Sequence, residues 1–285
     1  MAKILYGAPI KEKIKEELIA RVKKLKKSPV LAIIQVGDRE DSNVYIKQKQ
    51  KFGEEIGVKV ALKKFEENTK EEELILEIER LNEDKNINGI IVQLPLPKNL
   101  NSEKILNSVS VQKDADGLVS KVVFDTNPAA ARGVITLLDY YQIEIKNKKV
   151  TVIGQGILAG KPIANEFEKR GAEVFRCDIN TKNIPEITKK CDILISAVGK
   201  PDLITKEFVN ERQVVIDVGI NKISPPNPPL ILRGGQKEEK SKLVGDVNFV
   251  EVEPLVYAIT PVPGGIGPLT VCSLFQNLLD LINKK

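Results

Sequence analysis

At 285 residues the chain is long enough for two domains, and its 42% hydrophobic and 29% charged residues are ordinary for a soluble globular protein. It has no histidine, which excludes His-dependent triads, Cys–His pairs and His-ligated metals and leaves Lys, Tyr, Asp, Glu, Cys or water to move protons. The net charge of +5 is mild, and the lysines from Lys11 to Lys27 interleave with glutamates on a helical pattern; this is a solvated face, with no aromatic-rich basic motif to suggest nucleic acid.

The segment Met1 to Gly7 has no apolar signal core, and no apolar run approaches the roughly 18–20 residues needed to span a bilayer. Cys177, Cys191 and Cys272 are odd in number and lack metal spacing. They argue against a disulfide framework and fit a reducing cytoplasm, without a membrane or a metal.

In chain order, Ile10, Ile14, Leu18, Val22 and Leu25 predict a helix from Pro9 to Lys26. A strand over Val30–Val36 closes at Gly37-Asp38, followed by a helix over Ser42–Ile56, a strand over Lys59–Phe65 and a helix over Lys70–Asp84. Gly89–Leu94 reads as a buried strand stopped by Pro95 and Pro97. Alternating strand and helix implies a parallel sheet with helices on its faces. A second series follows Pro128: a helix over Ala129–Tyr141, a strand over Lys149–Gly154, a helix over Lys161–Arg170, and strands over Glu173–Asp178, Asp192–Ala197 and Val214–Val218. Ser224 to Lys242 holds four prolines and many charges and reads as an exposed loop. The pattern is that of two α/β domains joined near Asp125 to Arg132.

Gly154-Gln155-Gly156-Ile157-Leu158-Ala159-Gly160 is G-x-G-x-x-x-G between a predicted strand and a predicted helix. One glycine makes the tight turn, another lets backbone approach a pyrophosphate, and the helix N-terminus faces the anion. Asp178, at the end of the next strand, is placed to accept from ribose hydroxyls and to repel a 2′-phosphate. No arginine stands at Gln155 or in Ile179-Asn180-Thr181, while Arg176 is close enough to face either way. The expectation is NAD over NADP.

Near the C-terminus, Thr260-Pro261-Val262-Pro263-Gly264-Gly265-Ile266-Gly267-Pro268-Leu269-Thr270 excludes helix and central strand. It reads as a stiff, ligand-facing loop, with a helix over Leu269–Ile282 after it. Tyr45 and Lys49 are spaced i, i+4 and share a helix face. Gln93 ends a buried strand, and Asp116 lies in the turn-like Lys113-Asp114-Ala115-Asp116-Gly117.

Taken in order, Tyr45-Ile46-Lys47-Gln48-Lys49, Val92-Gln93-Leu94-Pro95-Leu96-Pro97, Lys113 to Gly117, Val215-Ile216-Asp217-Val218-Gly219-Ile220-Asn221, Val244-Gly245-Asp246-Val247 and Thr260 to Thr270 form one set. It resembles the bifunctional methylenetetrahydrofolate dehydrogenase/methenyltetrahydrofolate cyclohydrolase family, from about Gly7 to the last helix. The resemblance implies a folate-binding catalytic domain over 1–124 and 260–285, a Rossmann-type dinucleotide domain over 125–259, and a C-terminal helix that returns to the first. It implies Lys49 as the central catalytic residue, Gln93 tuning its protonation, Tyr45 positioning folate and Asp116 binding the pterin, with Leu94, Pro95, Pro263, Gly264 and Gly265 along the substrate. For an NAD or NADP cofactor it implies Gly154, Gln155, Gly156, Gly160, Asp178, Ala197, Val198, Gly199, Gly219 and Ile220. Partners carried by the resemblance are tetrahydrofolate derivatives, polyglutamylated ones included, and a second copy in a homodimer. An enzyme with one of the two activities and a non-catalytic nucleotide-binding regulator are the alternatives; the intact Tyr45, Lys49, Gln93 and Asp116 argue against the regulator.

The chain departs from the family at three places. The usual Gly-Arg-Ser is Gly154-Gln155-Gly156, and the usual Cys-His-Ser is Cys177-Asp178-Ile179; both changes remove partners of an NADP phosphate. The usual Pro-Cys-Thr-Pro is Pro128-Ala129-Ala130-Ala131, which removes polar groups at the domain junction.

Overall fold

The computed structural model describes residues 1–119, 128–223 and 242–283. The loop expected over 224–242, apart from Lys242, and residues 125–127 of the junction lie outside the described residues. The chain forms two compact units, Gly7–Gln142 with Pro268–Lys285, and Met1–Tyr6 with Ile143–Gly267. Residues 128–142 thus group with the first unit and residues 1–6 and 260–267 with the second, where the sequence reading divides the chain at 124/125 and 259/260.

Strand β1 (Lys3–Ile4) belongs to the second unit. The first runs α1 (Ala8–Lys23), β2 (Val30–Val36), α2 (Glu40–Ile56), β3 (Lys59–Phe65), α3 (Glu71–Glu83), β4 (Gly89–Val92), α4 (Ser102–Leu106) and α5 (Ala129–Tyr140). Its sheet is parallel in the order β3-β2-β4, with Ile33 opposite Leu62 on one side and Ile91 on the other. Leu31, Ala32, Ile33 and Ile34 are all fully buried, so both faces of β2 are covered and its sequence is a continuous apolar run rather than an alternating one. Helix α2 stops at Gly57, whose φ of 83° is the left-handed cap that glycine adopts without strain. Gly53, inside α2, lies so close to β3 that an added Cβ would stand 2.7 Å from Val60 Cγ2. That close approach fixes the helix carrying Tyr45 and Lys49.

The last helix, α9 (Ile266–Asn283), lies in the first unit from Pro268 onward. Its Leu269, Cys272, Phe275, Leu278 and Leu279 are buried. Within the first unit Phe275 stacks on Phe52 of α2 at 5.4 Å between ring centroids. The start of α9 corrects the reading of Ile266 to Pro268 as non-helical: Gly267 and Pro268 are its first-turn residues. A first-turn N–H has no intrahelical partner, so proline costs no hydrogen bond there.

The second unit continues with β5 (Lys149–Ile153), α6 (Gly160–Lys169), β6 (Glu173–Cys177), α7 (Ile184–Thr188), β7 (Ile193–Ser196), β8 (Val214–Asp217), β9 (Asn221–Ile223), β10 (Lys242–Val244), α8 (Phe249–Val252) and β11 (Ala258–Ile259). Six of these strands form one parallel sheet in the order β1-β11-β8-β7-β5-β6, while β9 and β10 pair antiparallel. The chain winds outward from β5 to β6 and then crosses to β7 on the other side of β5. The C-terminal end of β5 is therefore a topological switch point, where doubly wound sheets leave a crevice for a ligand.

Candidate functional site

In the first unit the site is built on α2, the end of β4 and the loop before α5. Tyr45 and Lys49 lie one turn apart on α2. Beyond β4, the Gln93 N–H donates to Ile34 O at 2.8 Å, and its Nε2 donates to Leu94 O at 2.8 Å. The amide is thereby oriented with Oε1 free to accept from Lys49 Nζ at 3.0 Å. Leu94-Pro95 is a cis peptide bond.

Burial pushes the Lys49 ammonium below its ordinary range, opposed by the charge of Asp116. Burial likewise pushes the Asp116 carboxyl up, opposed by Lys49. Tyr45 is pushed up to about 12, by burial first and by Asp41 second, so its phenol stays protonated at any physiological pH. The structure thus brings together Lys49, Gln93 and Asp116, with Tyr45 on the same helix and Leu94 and Pro95 next in the chain to Gln93.

The loop holding Asp116 has its own supports, and most of them are not legible in the sequence. Lys113 Nζ is buried and donates to Leu81 O at 2.8 Å and Asp84 O at 2.7 Å, at the C-terminus of α3. The Asp114 carboxylate accepts from the N–H groups of Gly117 at 2.9 Å and Val119 at 2.8 Å, while burial pushes its pKa up to about 6. Asn277 Nδ2, on α9, donates to Ala115 O at 3.0 Å. Asn277 Oδ1 accepts from Arg132 at 2.8 Å, and Asp280 accepts from both Arg132 at 2.6 Å and Arg21 at 2.7 Å. A buried asparagine in the last helix, which needs partners for its amide, is the signal the sequence offers. Ala129, Ala130 and Ala131 are buried in the first turn of α5.

In the second unit, Gly154 follows β5 with φ 90°, and a Cβ there would strike the Ala197 carbonyl oxygen. A Cβ on Gly160 would strike the Gly154 carbonyl oxygen, whereas Gly156 has no atom within 4 Å of its Cβ position. Two glycines are therefore demanded by close packing, and the third leaves open space before the N-terminus of α6. This arrangement fits a pyrophosphate. Gln155 Nε2 folds back onto Val152 O at 3.0 Å and Gly154 O at 3.1 Å. Asp178 is exposed at the end of β6, and its Oδ1 accepts from Asn180 N at 2.9 Å and Thr181 Oγ1 at 3.2 Å.

Two buried carboxylates shape the loops beyond β7 and β8, and the sequence reading assigned neither a role. Asp246 Oδ2 accepts from Ser196 Oγ at 2.9 Å, Val198 N at 2.7 Å and Gly199 N at 3.2 Å; its Oδ1 accepts from Lys200 N at 2.9 Å and Asn221 Nδ2 at 3.1 Å. Asp217 accepts from Gly219 N at 2.9 Å, Asp246 N at 3.1 Å and Val247 N at 2.9 Å, and burial pushes it up to about 7. Each carboxylate occupies space that a side chain on a glycine would need: Gly219 faces Asp246 and Gly245 faces Asp217. Val198, Gly199 and Gly219 are thus organised around Asp246 and Asp217, and Ala197 and Ile220 adjoin them in the chain.

Pro263, Gly264 and Gly265 also fall in the second unit. Val262-Pro263 is cis, Gly264 has φ 111°, and the Gly265 N–H donates to Pro261 O at 2.8 Å. A Cβ on Gly265 would stand 2.7 Å from that same oxygen, so the turn requires glycine. Among the described residues no cluster of His, Cys, Asp and Glu is arranged to hold a metal ion.

Residues 5–116 match the tetrahydrofolate dehydrogenase/cyclohydrolase catalytic domain, and residues 128–285 match the NAD(P)-binding domain of the same family. The bifunctional protein FolD 2 of Lactobacillus johnsonii is 40% identical over 295 aligned positions, covering 100% of this chain and 99% of that protein. The crystal structure of the bifunctional methylenetetrahydrofolate dehydrogenase/cyclohydrolase of Campylobacter jejuni superposes with a TM-score of 0.90 at 36% identity, covering 100% of this chain and 99% of the other. The Trypanosoma brucei enzyme, solved with NADP cofactor and an inhibitor, gives 0.88 at 31% identity over 99% of this chain and 98% of the other.

Proposed function

This chain belongs to the tetrahydrofolate dehydrogenase/cyclohydrolase family, and from that premise we propose that it oxidises 5,10-methylenetetrahydrofolate and hydrolyses the product to 10-formyltetrahydrofolate. In the first reaction the methylene carbon loses a hydride and becomes the cationic methenyl carbon. A nicotinamide dinucleotide, held by Gly154, Gly156, Gly160 and the loops at Ala197–Gly199 and Gly219–Ile220, supplies the hydride acceptor.

In the second reaction water adds to the methenyl carbon, one carbon–nitrogen bond of the bridge breaks, and a proton is released. The observation that carries the assignment is the half-buried Lys49 amine bonded to the oriented Gln93 oxygen. An ammonium beside a cationic carbon is repelled, whereas burial favours the neutral amine. The neutral Lys49 Nζ takes the proton of the attacking water. Gln93 accepts one amine hydrogen and so orients the nitrogen lone pair. The protonated Tyr45 phenol positions the folate, Asp116 binds the pterin, and Leu94 and Pro95 line the substrate.

The same reading includes NAD as the preferred cofactor, supported by Gln155 and by Asp178 at the end of β6. It includes polyglutamylated folates and a homodimer, which the family resemblance supports, and a cytoplasmic location, which the odd number and spacing of the cysteines support. A coupled assay with methylenetetrahydrofolate, run with NAD and NADP in parallel, tests it by following methenyl formation and decay separately. The expected result is both activities and a higher kcat/KM for NAD. A clear NADP preference would overturn the roles of Gln155 and Asp178, and absence of turnover with either would overturn the enzyme assignment.

A further inference from the structure

Arg176 is the cation that β6 carries, two residues before Asp178 at the expected ribose end of the dinucleotide, and its sequence position leaves its direction open. The structure resolves that direction. Arg176 stands opposite Val152 in the pairing of β5 with β6, one residue before Cys177 and two before Asp178. Its guanidinium forms a bidentate pair with Glu168 of α6, Nε to Oε1 at 3.2 Å and Nη2 to Oε2 at 2.8 Å. Nη2 also donates to Asn165 Oδ1 at 2.8 Å, and Nη1 reaches Gln155 Oε1 at 3.4 Å. The guanidinium therefore lies at the glycine loop itself, with its charge matched by a carboxylate and four of its five donor hydrogens taken.

A guanidinium in this part of a dinucleotide fold is the group that accommodates a 2′-phosphate, through the same planar fork that here holds a carboxylate. We propose that Glu168 is a specificity-determining residue: it occupies Arg176 and so withholds from NADP the one cation that β6 brings to the glycine loop. The proposal rests on the dinucleotide reading above and adds to it a residue on α6 that no glycine-loop pattern includes. With the Arg176–Glu168 pair intact, a 2′-phosphate meets Asp178, Glu168 and a spoken-for guanidinium. With Glu168 removed, Arg176 keeps its place beside Gln155 through Asn165 and regains an unmatched charge. Arg176 and Glu168 are both partly exposed, with side-chain accessibilities of 31% and 47%, so the exchange needs no rearrangement of the core.

The test is kcat/KM for NAD and NADP in wild type, Glu168→Ala, Arg176→Ala and the double variant, with hydrolysis of supplied methenyltetrahydrofolate as the control for folding. Glu168→Ala is expected to raise the NADP-to-NAD ratio about tenfold or more, the effect of one charge-assisted hydrogen bond. Arg176→Ala alone is expected to leave the ratio unchanged, and the double variant to return to the wild-type ratio. An unchanged ratio in Glu168→Ala overturns the proposal. So does a rise that persists in the double variant, because removal of negative charge alone would then explain it. A loss of NADP use in Arg176→Ala also overturns it, since the arginine would already be serving the phosphate. Wild-type turnover with neither dinucleotide is a separate outcome, which removes the functional reading and this proposal with it.

Discussion

Lys49→Gln is expected to abolish hydrolysis of methenyltetrahydrofolate while sparing measurable oxidation of methylenetetrahydrofolate. Glutamine keeps much of the length and hydrogen-bonding capacity of the side chain but has no basic nitrogen. The hydrolytic step then loses its general base, a loss of about 10²–10⁴-fold. Hydride transfer removes no proton from water, so it loses only what Lys49 contributes to positioning. Assays of the two half-reactions separately on purified Lys49→Gln protein check this, and full hydrolytic activity in the variant would falsify the role.

The pH dependence follows from the direction of the Lys49 shift. Burial lowers its pKa in the folded protein relative to the unfolded chain, so between the lowered value and the ordinary one near 10.4 the unfolded chain binds more protons. The contribution of this site to stability therefore rises with pH through that window. Glutamine cannot titrate, so the thermal midpoint of Lys49→Gln should gain relative to wild type at low pH and lose that advantage toward pH 10. Hydrolysis by the wild type should rise with pH through the lowered pKa as the amine becomes neutral. Asp116→Asn removes the charge that opposes the lowering, and its hydrolytic profile should move to lower pH.

Why some of this is legible in the sequence and some is not follows from where the information sits. Strands β2 and β3 are read with their boundaries at Val30–Val36 and Lys59–Phe65, because their length and apolar content identify them locally. Strands β1 and β11 have two residues each, and only pairing with each other and with β8 makes them strands. Periodicity has nothing to work on there. Helix α9 begins three residues earlier than its apolar pattern, because Gly267 and Pro268 are tolerated in a first turn that the local signal treats as a break. At the site, the i, i+4 spacing places Tyr45 and Lys49 on one helix face by geometry alone. The link from Lys49 to Gln93 crosses 44 positions, and only the family resemblance anticipates it. Asn277 and Asp246 are further removed still: each is one polar residue whose meaning lies wholly in partners distant in sequence.

Asp246 carries the second large prediction: Asp246→Asn is expected to raise the Kd for the dinucleotide more than tenfold. Hydrolysis of supplied methenyltetrahydrofolate, in which the dinucleotide is not a reactant, should stay within about twofold of wild type, since Asp246 shares no bonded partner with Lys49 or Gln93. Both oxygens of Asp246 are accepting, one from Lys200 N and Asn221 Nδ2, the other from Ser196 Oγ, Val198 N and Gly199 N. An asparagine amide is nearly the same shape, but whichever way it turns, its NH₂ faces backbone N–H groups. Hydrogen bonds to a charged group contribute about 1.5–3 kcal/mol each, and a buried donor left without an acceptor costs about 1–3 kcal/mol. The side chain cannot relieve the clash by swinging toward Gly219, where the carboxylate already fills the space of a Cβ. The segment Val198 to Lys200 must move instead, and it is the segment proposed to line the dinucleotide. Titration calorimetry with NAD on the folded variant gives the answer: unchanged affinity would mean that the carboxylate stabilises the loop without setting its binding conformation. Gly219→Ala provides an independent check, since its methyl group displaces the same carboxylate from the opposite side and should weaken dinucleotide binding while every charge is retained.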